Sequence, residues 1–257
     1  MIKEYLQYLA NNKMYSDNTL RRYNTVLVDF AHSMCGRTWS TITRDDIEQY
    51  IANKDCSEST KSSALSAIRG IFSYACTHYG LVNNPARFIS MPKMLKNVPH
   101  VLAAEDIEKA MKLAPRRIRL AIMLMYLCGL RVSECLALSI EDIINHRIIV
   151  RGKGKKERYV YVVSIVEDLA HELCSCGLIF DACSDRQFRY DIYSAFRAVG
   201  IEMSPHMLRH TYASNMANAG IPLSHLALLL GHESIKTTQI YLHADSQQVR
   251  TSYYKYV

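Results

Sequence analysis

A chain of 257 residues suits one large domain or two modest ones, and with 49% apolar residues it can bury a sizeable core. The formal net charge of +7 is shared as +4 over residues 1–100 and +3 over residues 101–257, so a polyanionic partner is permitted for both halves. Apolar runs fall short of the ~20 residues of a helical membrane span (Leu120–Leu127 is too short), which excludes that class and predicts no membrane partner.

Residues 1–90 read as a helical domain. Ile2, Tyr5, Leu6 and Leu9 repeat at i, i+3, i+4 and i+7, an amphipathic helix rather than a basic-then-apolar leader. Ser16 can cap a second helix whose apolar face carries Leu20, Tyr23, Leu27 and Phe30. Thr43 with Asp46 three residues on has the form of a capping box, and Ile42 can staple to Ile47. A fourth helix starts near Ser57 or Ser59, carries the stripe Leu65, Ile68, Ile71, Phe72 and Ala75, and ends where Gly80 suits a C-cap. On these helices Arg22, Lys61 and Arg69, taken singly, read as parts of a solvated face.

Residues 91–101, with Pro92 and Pro99, read as a linker in which Lys93 and Lys96 suit a crossing over a phosphate backbone. A second domain begins near Leu102. Its first helix opens with Glu105 and Asp106, matching the helix dipole, and the next, Arg117–Cys128, is apolar enough to be buried. Gly129 can end that helix and Ser133 can cap the following one, which sets Arg131 at a tight turn where its guanidinium fork suits two phosphate oxygens. Glu134 can hold Arg131 or cap the helix. Arg147–Val150 and Arg158–Val163 read as strands joined by a turn with two glycines, Gly152 and Gly154, that also holds Lys153, Lys155 and Lys156. Ser164–Leu173 and Ser184–Val199 are further helices.

From Ser204 the chain reads Ser-Pro-His206-Met-Leu-Arg209, and His206 and Arg209 share one helix face, with Pro205 marking the helix start. Leu230-Gly231-His232 follows, and Tyr241 lies nine residues after His232. The eight cysteines include no C-x-x-C pair, so neither zinc nor any other metal is expected; Cys128 and Cys135 read as small core residues, and reduced thiols point to the cytoplasm.

In order and spacing, Gly129-Leu130-Arg131 with Ser133 and Glu134, Gly152-Lys153-Gly154, His206 with Arg209, Leu230-Gly231-His232 and Tyr241 resemble the tyrosine recombinases, the phage-integrase and Xer-like family. The resemblance implies a mainly α fold with a small antiparallel β-sheet in the C-terminal domain. It also implies a two-domain, C-shaped DNA clamp: a SAM-like core-binding domain at 1–90, a linker at 91–101 and a catalytic domain at 102–257. Catalysis would rest on Arg131, Lys153, His206, Arg209, His232 and the nucleophile Tyr241, with Glu134 in support. Arg22, Lys61, Arg69, Lys93, Lys155 and Arg158 become DNA-contact candidates, with the solvated reading still open for each.

The implied activity is site-specific recombination of double-stranded DNA through a 3′-phosphotyrosine and a Holliday junction. It would need no cofactor and would proceed in a homotetramer on paired sites, with accessory DNA-binding proteins as further partners. Two alternatives carry the same residues: type IB topoisomerase-like relaxation, and a DNA-binding regulator that has lost catalysis. Val249, Tyr253 and Tyr256 fall at i, i+4 and i+7, and the resemblance suggests that this tail docks on a neighbouring protomer, with packing on its own domain or fraying as the open alternatives.

Overall fold

The computed structural model describes residues 1–12, 15–90, 100–151, 157–181, 183–232, 235–238 and 240. The expectations for Lys93, Lys153, Lys155, Tyr241 and the tail fall outside these. The chain sorts into two compact units, Met1–Leu95 and Lys96–Val257. The described residues are mostly helical, with one three-stranded antiparallel sheet among them.

The N-terminal unit is built from α1 (Ile2–Asn11), α2 (Asp17–Ser33), α3 (Arg44–Ala52) and α4 (Glu58–His78). Their starts are chemically marked. Ser16 and Ser57 accept from the backbone N–H groups of Thr19 and Thr60, and Thr43 and Asp46 form a reciprocal capping box. The apolar stripes then meet: Tyr5, Leu27, Phe30, Ile47, Leu65, Ile68 and Phe72 are buried in one cluster. Each such large side chain contributes about 1.5–3 kcal/mol by leaving water. Gly80, just past α4, takes the left-handed conformation expected of a C-terminal glycine.

The C-terminal unit contains α5 (Ala104–Leu113), α6 (Arg116–Leu127), α7 (Val132–Leu136), α8 (Ser164–Leu173), α9 (Asp185–Arg197), α10 (Pro205–Asn218), α11 (Leu223–Leu230) and α12 (Ile235–Thr238). Buried α6 runs through its centre and packs against α5, α7, α8, α9 and α10. The sheet has the order β1 (Ile143–Ile144), β2 (Arg147–Arg151), β3 (Glu157–Tyr161). In the β2–β3 register Arg151 faces Glu157 and Ile148 faces Val160, so Ile148, Val150 and Val160 turn inward. Cys128 and Cys135 are buried free thiols. None of the described helices is long and apolar enough to cross a membrane.

Candidate active site

The site begins where α6 stops. Gly129 has φ +68°, and a Cβ there would lie 2.5 Å from the Tyr212 ring, so only glycine fits the turn. Arg131 then holds the N-cap position of α7 in an extended conformation. The expected cap, Ser133, is instead inside the helix. The acidic residue three positions past the cap does the capping: Glu134 accepts from the Arg131 backbone N–H and from Arg131 Nη1, both at 2.7 Å.

Two more guanidiniums reach the same carboxylate. Arg158 of β3 binds it in a two-pronged fork, Nη1 to Oε1 and Nη2 to Oε2 at 2.8 Å each. Arg209 of α10, only 5% exposed, places Nη1 3.6 Å from Oε2 and donates from Nη1 to the Gly129 carbonyl at 2.6 Å. The same three arginines cap the C-terminal end of α11, whose last carbonyls have no partner within the helix. Arg158 Nε donates to Leu229 O, Arg209 Nη2 to Leu230 O, and Arg131 Nη2 to Gly231 O. The negative end of the helix dipole favours this placement. Gly231 turns the chain in the left-handed conformation, and a Cβ on it would stand 3.1 Å from the Arg158 side chain.

His232 follows at once. Its Nε2 lies 3.4 Å from Arg209 Nη2 and its Nδ1 lies 3.0 Å from Thr238 Oγ1. Arginine can only donate, so Nε2 accepts here and the ring proton sits on Nδ1, facing the fully buried Thr238. His206 opens α10 one helical turn before Arg209.

Charge sets the character of the site. Burial alone would raise the Glu134 pKa, but the hydrogen bonds from Arg158 and from the Arg131 backbone outweigh it and pull the carboxyl down to about 2. Glu134 is therefore ionised, and three guanidiniums on one carboxylate leave a local excess of positive charge. Burial, then Arg209, Arg131 and Arg158, push His232 down to about 4. His206 is lowered by burial and by Arg189, Arg209 and Arg131. Both imidazoles are thus neutral at pH 7, beside this excess of positive charge. Among the described residues no group of three or more His, Cys, Asp or Glu could hold a metal ion.

The family model described as the phage integrase family matches residues 100–248, more than half of the chain. The chain belongs to the phage integrase family, the tyrosine recombinases. It is an enzyme of the site-specific DNA recombinase class. The family's N-terminal SAM-like domain matches residues 2–78. Tyrosine recombinase XerC of Thermodesulfovibrio yellowstonii is 32% identical over 99% of this chain and 95% of its own length. The XerC of Listeria monocytogenes serotype 4a is 26% identical over 99% and 96%. Among solved structures, a lambda integrase dimer bound to a core site superposes with a TM-score of 0.78 at 17% identity, covering 92% of this chain and 95% of that one. XerH bound to a palindromic difH substrate gives 0.73 at 23% identity, covering 91% and 78%. These two likenesses speak for the fold.

The recombinase thus gathers Arg131, Glu134, Arg209 and His232 in one place, with His206 a turn away. Two of the expected DNA contacts have partners within the chain. Arg158 donates to Glu134 and to the Leu229 carbonyl, and its side chain is only 12% exposed. Arg69 donates to the Ala86 and Ile89 carbonyls and ties that loop to α4. Arg22 is exposed and donates to Ser63, and Lys61 pairs with Glu58 at 3.3 Å, both consistent with a polar helix face. Thr238 is the residue that sequence reasoning passed over. Its only signal was its place between His232 and Tyr241.

Proposed function

We propose that this recombinase binds double-stranded DNA and cuts one strand at a time through a 3′-phosphotyrosine on Tyr241. The observation that supports this reading most is the Glu134 cluster, in which Arg131 and Arg209 are braced beside two neutral histidines. In this reading a scissile phosphate enters the cluster, and Arg131 and Arg209 hold its non-bridging oxygens as charge grows in the transition state. Tyr241, whose phenol ordinarily ionises near pH 10, gives its proton to His206 as its oxygen forms the bond to phosphorus. The bond from phosphorus to the 5′ oxygen breaks, and Lys153 protonates the leaving oxygen. His232 hydrogen-bonds the phosphate through Nε2 after its proton shifts from Nδ1 and Thr238 turns from acceptor to donor.

The phosphodiester energy is kept in the tyrosyl ester. A 5′-hydroxyl from a partner strand attacks it, and the exchange passes through a Holliday junction with no ATP and no metal. The assembly is a homotetramer on paired sites in the cytoplasm, with accessory DNA-binding proteins as further partners. The N-terminal unit contributes DNA contacts such as Arg22 and Lys61.

A duplex captured covalently from a random-sequence pool by the wild-type protein supplies the substrate for the test. Nicked as a suicide substrate, it should give a covalent protein–DNA band on a denaturing gel with the wild type. Tyr241→Phe should bind the duplex equally and give no band. A covalent band from the Phe variant would move the nucleophile to another residue.

A further inference from the structure

We propose that Arg158 is a positioning residue for strand cleavage: it saturates Glu134 so that Arg131 and Arg209 keep the spacing a phosphate needs. The inference rests on the reading that Arg131 and Arg209 hold the scissile phosphate. A carboxylate offers about four lone-pair sites. In this site all four are taken: Oε1 accepts from Arg131 Nη1 and Arg158 Nη1, and Oε2 from the Arg131 backbone N–H and Arg158 Nη2. Arg209 Nη1, at 3.6 Å from Oε2, stays outside hydrogen-bonding range and is anchored on Gly129 O instead.

Removing Arg158 would free two acceptor sites on a buried, charged carboxylate. Such a group draws in the nearest donor, because leaving it unsatisfied is costly. The nearest candidates are the two guanidiniums assigned to the phosphate. The fork of Arg158 therefore keeps Glu134 from competing with the substrate.

The same side chain also spans two other parts of the site. Its Nε holds Leu229 O, two residues before Gly231-His232. It stands on β3, which is joined in this way to the end of α11, and it follows Lys153 by five residues in the chain. A lysine in this place would keep the charge and lose the fork.

The test uses the full-length protein and a duplex obtained by covalent capture with the wild type. Capture of no duplex would strike the phosphotyrosine reading, and this inference with it. With a duplex in hand, Arg158→Met should bind it with the wild-type dependence on salt, whereas its single-turnover cleavage should fall about a hundredfold, the scale of losing one preorganised donor. A 5′-bridging phosphorothioate, which removes the need for a proton donor, should not restore the rate, because the defect lies at the non-bridging oxygens.

Wild-type cleavage by Arg158→Met would overturn the proposal. So would a salt slope shallower by about one, the mark of a lost phosphate contact. Rescue by the bridging sulfur would shift the role to the Lys153 hairpin and overturn it as well. If Arg158→Met does not fold, Arg158→Lys is read in the same assays. Slow cleavage with intact binding supports the proposal, and a wild-type rate refutes it.

Discussion

The positive side chains of the two units are held in opposite ways. In the C-terminal unit Arg131, Arg158 and Arg209 converge on one buried carboxylate and on three successive carbonyls at the end of α11. In the N-terminal unit Arg22 and Lys61 lie on helix faces and touch one polar neighbour each, Ser63 and Glu58. A buried ion network adds little net stability, since desolvation offsets the attraction, but it fixes direction. Arg22 is an exposed cation, which costs little and aims poorly. The contrast suggests a division of labour in which the C-terminal cluster serves chemistry and the N-terminal cations serve affinity.

The largest expected effect that would sharpen this division is at Lys153. Lys153→Ala should slow cleavage by about 10²–10⁴-fold, the usual worth of a positioned acid, while site binding holds. A substrate with a 5′-bridging sulfur should regain much of the rate. Equal losses in binding and cleavage would make Lys153 an affinity residue and blur the contrast.

Acid should reach the C-terminal unit first. His232 titrates at about 4 in the folded chain against an ordinary 6.5, so the unfolded chain binds more protons between those values. Its contribution is complete above about pH 6.5 and is lost as pH falls through 4. Glu134, lowered to about 2 from 4.5, carries the same sign into a more acidic window. Trp39, the single tryptophan, packs against Phe30 and Phe72 in the N-terminal unit and reports that unit alone. Between pH 6.5 and 4, hydrogen-exchange protection of α10 and α11 should fall while Trp39 fluorescence holds. Simultaneous loss of both signals would break the comparison.

The smallest effect is expected at Arg22. Arg22→Ala should reduce the salt dependence of DNA binding by about one counterion and leave cleavage at saturating protein unchanged. A cleavage defect at saturation would give the N-terminal unit a chemical role.

Local signals were legible where they act over a few residues. Ser16, Ser57 and the Thr43–Asp46 pair mark helix starts, and the period of Leu65, Ile68, Phe72 and Ala75 marks a buried face. The gathering of Arg131, Arg209 and His232 was legible as ordered motifs. Long-range pairing was not. Arg158 and Glu134 are 24 residues apart and on different elements, so the charged turn beside Arg158 suggested a phosphate contact. The acceptors of Arg69 are likewise distant in the chain, carbonyls 17 and 20 residues away. Ser133 was a plausible cap by residue type, yet Glu134 outcompetes it by reaching the Arg131 N–H from inside the helix. The two-residue strand β1 is too short to show a period of its own.

Glu134→Gln tests most directly whether the buried carboxylate orders the cluster for chemistry. The amide keeps the shape, removes the charge and replaces two acceptor sites with donors. Single-turnover cleavage by Glu134→Gln, with active protein counted by site binding, should fall about a hundredfold or more while binding is kept. Wild-type cleavage by the site-bound variant would contradict the account.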